Sequence, residues 1–322
     1  MIIKPKPLCA GDRVAVIAPA SSTDLSAVKT AEQRISAMGI QPVMFPTCFT
    51  HYGHLSATDV ERANDVNNAF SDESIDGIIC LRGGYGTPRI LNMLNYDMIK
   101  KNPKVFLGFS DITSLHLAFN KICRMVTYHG PMAASSFAKV KNNQVDFEQY
   151  TFDSMKSNLF SDEPVAIYKN PKNEELGALV GGEAEGELIG GNLTLLAATL
   201  GSPYELDSKG KIIFIEEIDE PVYKIDRMLT SLALAGKFDD CEGIILGGWI
   251  NCEREKKSYE NGYDLPLDEV FENTLSKFKK PIITNFRAGH IFPQSTMAFG
   301  TRIKMDADKK EIIFTESGNE KR

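Results

Sequence analysis

The stretch Val105-Phe106-Leu107-Gly108-Phe109-Ser110-Asp111-Ile112-Thr113 (VFLGFSDIT) runs a short apolar segment straight into a helix start. A continuous apolar run of this length, with a β-branched residue and no polar alternation, reads as a strand buried on both faces. The Ser-Asp pair that follows has two readings. Either residue caps the helix at 112–119 by satisfying orphan backbone N–H groups. Alternatively, a tight strand-to-helix corner holds the serine above the sheet, where the next N–H meets a developing negative charge.

Outward from this stretch the same pattern repeats. Strands are expected at 13–18, 41–45, 77–81 and 105–107, alternating with helices at 25–38, 57–70, 87–94 and 112–119. Such alternation implies a parallel sheet covered by helices on both faces, with ligands at the carboxyl ends of the strands. Ser110 lies at one such end. Between about 135 and 185 the apolar periodicity fades, as in SSFAKVKNNQVDFEQY, and this segment reads as a linker. The expected division is therefore 1–135, a linker at 136–185, and a second unit over 186–322. The second unit opens with EGELIGGNLTLLAATLG, a strand meeting a helix that Asn192 caps and Gly201 ends. Strands are expected there at 211–215, 243–247, 281–285 and 312–314, with helices near 223–235 and 267–277.

A chain of 322 residues, 43% hydrophobic and 25% charged, suits a two-domain globular protein. A net charge of −7, with no run of Lys and Arg interleaved with aromatics, argues against nucleic acid as a partner. The six cysteines are scattered without a C-x-x-C pair, so neither a disulfide framework nor a zinc site is expected. The apolar run at 14–18 is too short for a secretory segment, and no run approaches a membrane span. These features point to a reduced, cytoplasmic protein with no membrane partner.

A serine nucleophile needs a base, and the base needs an orienting acid. Of the five histidines, His290 is the best base, because PIITNFRAGH projects it from a strand and a small-residue turn. His116, six residues along the helix from Ser110, points away from the corner and belongs to the core or surface. His129 in TYHGPM reads as structural, and His51 and His54 as loop residues open to substrate contact. In KGKIIFIEEIDEP the strand delivers Glu216 at its carboxyl end, with Glu217 as the alternative acid on the opposite face. The order Ser110, Glu216, His290 is that of a hydrolase triad.

The glycine cluster in CLRGGYGTPRIL lets backbone approach closely, so the Gly83 or Gly84 N–H joins that of Asp111 as an oxyanion hole. Arg82 pairs either with a substrate carboxylate or in a structural ion pair, and Gly83 and Tyr85 lie beside it. Gly84-Tyr85-Gly86 lacks the third glycine of a dinucleotide fingerprint, and no Walker sequence or H-E-x-x-H occurs. No cofactor and no metal are expected.

Taken together, GDRVAVIAPAS, LRGGYGTPRIL, FLGFSDITSLHLAF, YHGPM, IGGNLTLLAATLGSP, IIFIEEIDEPVYKIDRML, GIILGGW and AGHIFPQSTMAFGTR resemble the LD-carboxypeptidase family of serine peptidases, in order and over nearly the whole chain. The resemblance implies an α/β fold: a flavodoxin-like or class I amidotransferase-like N-terminal domain carrying Ser110, and a β-rich C-terminal domain supplying Glu216 and His290. It also implies a homodimer and release of the terminal D-alanine from cell-wall tetrapeptides during cytoplasmic recycling. A sister branch resembles a self-immunity peptidase acting on aminoacyl-nucleotide conjugates, for which Trp249 would offer a stacking surface. A non-catalytic module that holds an anionic peptide on helix N-termini is the alternative of another class.

Overall fold

A computed structural model describes residues 2–142, 144–253, 262 and 264–321. The chain forms two compact units: residues 1–164 with 295–300 and 317–322, and residues 165–294 with 301–316.

The first unit begins with β1 (Arg13–Ile17), α1 (Leu25–Ala37), β2 (Gln41–Met44), α2 (Asp59–Ser71), β3 (Gly77–Cys80) and α3 (Tyr96–Lys101). It continues with β4 (Val105–Gly108), α4 (Thr113–Ala118), β5 (Thr127–His129), the hairpin of β6 (Ala138–Lys141) and β7 (Gln144–Phe147), and α5 (Gln149–Leu159). The sheet order runs β5, β4, β3, β1, β2 with all neighbours parallel. A sixth strand, Met297–Phe299, adds antiparallel to β5. This is the doubly wound order in which the connection reverses between β1 and β3, so loops leaving those strands diverge and open a crevice at their carboxyl ends. β3 and β4 are buried at every residue, as their unbroken apolar runs require.

Helix starts follow local chemistry. Asp24 caps α1 by accepting from the Ala27 N–H, and Thr58 with Glu61 forms a reciprocal capping box on α2. Residues 87–94, expected as a helix, instead form a 3-10 segment at Thr87–Met93. Asp111 does not cap the helix after Ser110; its carboxylate turns to the Thr87 N–H at 2.8 Å. Within 136–185, the hairpin and α5 belong to the first unit, while the remainder begins the second.

The second unit contains β8 (Ala166–Ile167), β9 (Gly177–Val180), β10 (Glu183–Asn192), α6 (Leu193–Ala198), β11 (Lys211–Ile218), α7 (Val222–Leu234) and α8 (Lys237–Asp240). It is completed by β12 (Gly243–Ile250), α9 (Leu267–Leu275), β13 (Ile282–Thr284), and, after β14 (the Met297–Phe299 strand above), β15 (Arg302–Asp306) and β16 (Glu311–Phe314). Its eight-stranded sheet runs β8, β16, β15, β10, β11, β12, β13, β9. The four central strands are parallel and the flanking pairs antiparallel. Among the described residues no helix is long and apolar enough to cross a membrane.

Candidate active site

In the first unit the site is built from loops at the carboxyl ends of β1, β3 and β4. Ser110 follows β4 with φ of 64°, the left-handed region that costs an L-residue roughly 1–2 kcal/mol. A side chain is held there only where the surroundings over-determine it. Gly108 is one such constraint, since a Cβ on it would lie 2.8 Å from the Ile112 side chain that closes the corner.

The glycine loop lies against this corner. A Cβ on Gly83 would stand 2.8 Å from the Ser110 Cβ and 3.0 Å from its Oγ, so only glycine admits the serine at this distance. Gly83→Ala is therefore expected to lower kcat by about 10- to 100-fold, a scale typical of displacing a reacting group by an ångström. Steady-state kinetics on the purified variant checks this, and wild-type turnover would refute the contact.

Three residues that sequence reasoning missed hold the loop. Ser21, after β1, donates its N–H to the Gly83 carbonyl at 3.3 Å and accepts from the Tyr85 N–H at 3.1 Å through Oγ. Arg62 of α2, fully buried, donates Nη1 to the carbonyls of Gly86 at 2.9 Å and Pro19, and Nη2 to Asp59. Thr87 completes the set: its N–H goes to Asp111 and its hydroxyl bridges the Asp111 carbonyl and Ser114. Burial raises the Asp111 carboxyl above the usual range, with the Thr87 bonds and Arg62 opposing the rise. The N–H groups of Gly84 and Asp111 meet no acceptor among the described residues. Nothing local marks Ser21 or Arg62 in the sequence, because both act across loops.

Around this centre, Arg82 is exposed and donates to the Ser22 carbonyl at 3.1 Å. Tyr85 is 48% exposed, with the His54 ring 5.5 Å away. His51 Nδ1 lies 2.6 Å from the Ser22 hydroxyl. His129 is fully buried between Phe109 and Phe299.

In the second unit, Glu216 is fully buried near the end of β11, and its Oε2 lies 2.7 Å from His290 Nδ1. The same oxygen accepts the His290 N–H at 3.0 Å. Three glycines make room for this pair. The β11–β12 register shifts so that Ile215 faces Leu246 while Glu217 faces Trp249, leaving Gly247 and Gly248 opposite Glu216. That bulge accepts the Ala288 segment, with the Gly248 N–H on the Ala288 carbonyl at 3.0 Å. Gly289 then passes over the carboxylate with φ of 90°, where a Cβ would strike Glu216 Oε2 at 2.4 Å. Burial pulls the His290 pKa down, but the charge and hydrogen bond of Glu216 together outweigh it, and the net shift is upward.

Glu217 does a different job. It accepts from Asn192 Nδ2 at 2.7 Å, the Thr194 N–H at 2.8 Å, Thr194 Oγ1 at 2.7 Å and the Ile218 N–H at 2.9 Å. Asn192, expected to cap α6, makes no cap bond; the Glu217 carboxylate serves that helix start instead. Burial raises its pKa, with these donors opposing. Trp249 rests against Phe271 at 4.7 Å between ring centres.

Residues 14–130 match the LD-carboxypeptidase N-terminal domain and residues 185–305 the LD-carboxypeptidase C-terminal domain. The chain is 37% identical over 311 residues to a probable murein peptide carboxypeptidase of Bacillus subtilis, covering 97% of this chain and 94% of that one. It is 28% identical over 290 residues to the microcin C7 self-immunity protein MccF of Escherichia coli, covering 81% of this chain and 80% of that one. The crystal structure of muramoyltetrapeptide carboxypeptidase from Oxalobacter formigenes superposes with a TM-score of 0.80 at 27% identity, over 95% of this chain and 99% of that one. With both domains matched in order and this near full-length likeness, the chain belongs to the LD-carboxypeptidase family.

Proposed function

We propose that the protein is a serine LD-carboxypeptidase that removes the terminal D-alanine from a muropeptide tetrapeptide, with Ser110 as nucleophile, His290 as base and Glu216 as orienting acid. The observation that carries this reading is the pairing of His290 Nδ1 with buried Glu216 at 2.7 Å. A carboxylate only accepts, so Nδ1 carries the proton and Nε2 is left with a lone pair. Ser110 Oγ attacks the carbonyl carbon of the penultimate residue as His290 Nε2 takes the hydroxyl proton. The oxyanion rests on the N–H groups of Gly84 and Asp111. The imidazolium gives its proton to the leaving amine, D-alanine departs, and the acyl-enzyme is hydrolysed by water with His290 again as base. Arg82, beside Gly83 and Tyr85, is the partner for the terminal carboxylate.

The peptide-nucleotide specificity of MccF is the competing reading, and Trp249 would be its stacking surface. That ring already packs on Phe271, which favours the tetrapeptide. Cytoplasmic location and a homodimer belong to the same proposal; the six free cysteines, five of them buried, suit a reducing compartment.

The deciding experiment incubates the purified protein with L-Ala-γ-D-Glu-meso-diaminopimelate-D-Ala, its lysine counterpart and an aminoacyl-sulfamoyl adenosine, reading products by mass spectrometry. D-Alanine release from a tetrapeptide is expected, and the ratio of the two peptide rates gives the diamino-acid preference. Cleavage of the adenosine conjugate alone, or of nothing, would overturn the assignment.

A further inference from the structure

His116 lies in α4, past the Ser110 corner, and is fully buried. Its ring turns back toward the strand it left. Nε2 stands 2.9 Å from the carbonyl oxygen of Gly108, two residues before Ser110. The Gly130 N–H reaches the same oxygen at 3.2 Å. A carbonyl accepts and cannot donate, so Nε2 carries the ring proton. Nδ1 is then the bare nitrogen, and it is buried with no hydrogen-bond partner among the described residues. A polar ring in that state is costly in a core, and a leucine or phenylalanine would fill the volume without the orphan atom.

The ring is also fixed in orientation. It meets Phe106 edge-on at 5.7 Å and Phe299 at 5.6 Å, so it cannot turn without losing both contacts. His129, at 6.3 Å, is the titratable group facing it. Burial lowers the His116 pKa to about 4, so the ring stays neutral, with its strut intact, at any pH where a peptidase with a histidine base operates.

The segment from Gly108 to His116 is therefore closed at both ends. The strand end is held by the sheet, the helix by its own ladder, and the imidazole ties one to the other across the corner. The residue inside this loop with positive φ is Ser110. We propose that His116 is a positioning residue for the nucleophile, holding the Gly108 carbonyl so that Ser110 keeps its left-handed conformation and its hydroxyl stays aligned for attack. This inference rests on the assignment of Ser110 as nucleophile.

The test compares His116→Phe and His116→Gln with wild type and Ser110→Ala, all checked for folding by thermal unfolding. His116→Phe keeps a ring for Phe106 and Phe299 but has no donor; His116→Gln restores an amide donor. The phenylalanine variant is expected to lose about 10- to 100-fold in kcat with little change in KM, and the glutamine variant to recover most of that loss. A merely structural role would instead move the unfolding temperature and leave kcat per folded molecule unchanged in both. Full kcat in His116→Phe while Ser110→Ala is inactive would overturn the positioning role alone; full activity in Ser110→Ala would overturn the nucleophile assignment beneath it. Should His116→Phe fail to fold, imidazole nitrogen NMR on the wild type decides: a proton on Nε2 is expected, and a proton on Nδ1 would sink the proposal.

Discussion

Ser110→Ala is expected to lower kcat by about 10⁴- to 10⁶-fold, leaving KM nearly unchanged, because the attacking oxygen is gone while the N–H groups of Gly84 and Asp111 remain. The residual rate would come from binding and the oxyanion donors. Alanine at this position suffers the same strained backbone, with φ of 64°, so its stability should match wild type. Ser110→Gly separates the two effects. Glycine adopts positive φ freely, so that variant should be equally inactive yet more stable by about 1 kcal/mol. D-Alanine release and thermal unfolding on the three proteins read both quantities. A stabilised, inactive Ser110→Gly would mean that the corner is kept strained for chemistry; retained turnover in either variant would remove Ser110 from the mechanism.

The second large effect separates two adjacent acids. Glu216→Gln keeps the shape but removes the charge facing His290, and its amide can present a donor where the Nδ1 proton needs an acceptor. A loss of about 10⁴ in kcat is expected, as for the wrong tautomer in a serine triad. Because Glu216 is what raises the His290 pKa, the acid limb of kcat/KM should also move to lower pH in this variant. Glu217→Gln should do neither. It leaves Glu216 in place but sets an amide among Asn192, Thr194 and Ile218, all donors. The expected result is near-normal kcat with a stability loss of about 1–3 kcal/mol from a mispaired buried group. If the two variants exchanged these phenotypes, Glu217 would be the acid.

The alternation around VFLGFSDIT was legible because strands buried on both faces must be apolar throughout and helices between them amphipathic. The positions of Gly83, Ser110, Glu216 and His290 were legible for a related reason: each sits where an apolar run ends in small or polar residues. Met297–Phe299 was not, since three residues in MAFGTR carry no period, and their pairing partner β5 is far away in sequence. Residues 149–159 were lost in the linker because QYTFDSMKSNL is mostly polar, its buried face reduced to Thr151, Met155, Asn158 and Leu159. Arg62 was invisible because an arginine in DVERANDVNN reads as solvated; only the loop carbonyls it meets make it a core residue. The second carboxylate of the EE pair was ambiguous for the opposite reason, since alternation gives the face of a side chain but not its partners.

The sheet that carries Ser110 takes its sixth strand from Met297–Phe299, and Tyr128 in β5 bonds through its hydroxyl to Asn319. Between these pieces and the rest of that sheet lie residues 165–294, which fold as the other unit. During synthesis, then, β5 stays an open edge while well over a hundred further residues emerge. A polypeptide halted before residue 297 would expose that edge, where unpaired backbone invites pairing with another chain. Cutting such a protein into two separately expressed halves at residue 164 should therefore give an aggregating first half, even though it holds Ser110, Gly83 and His116.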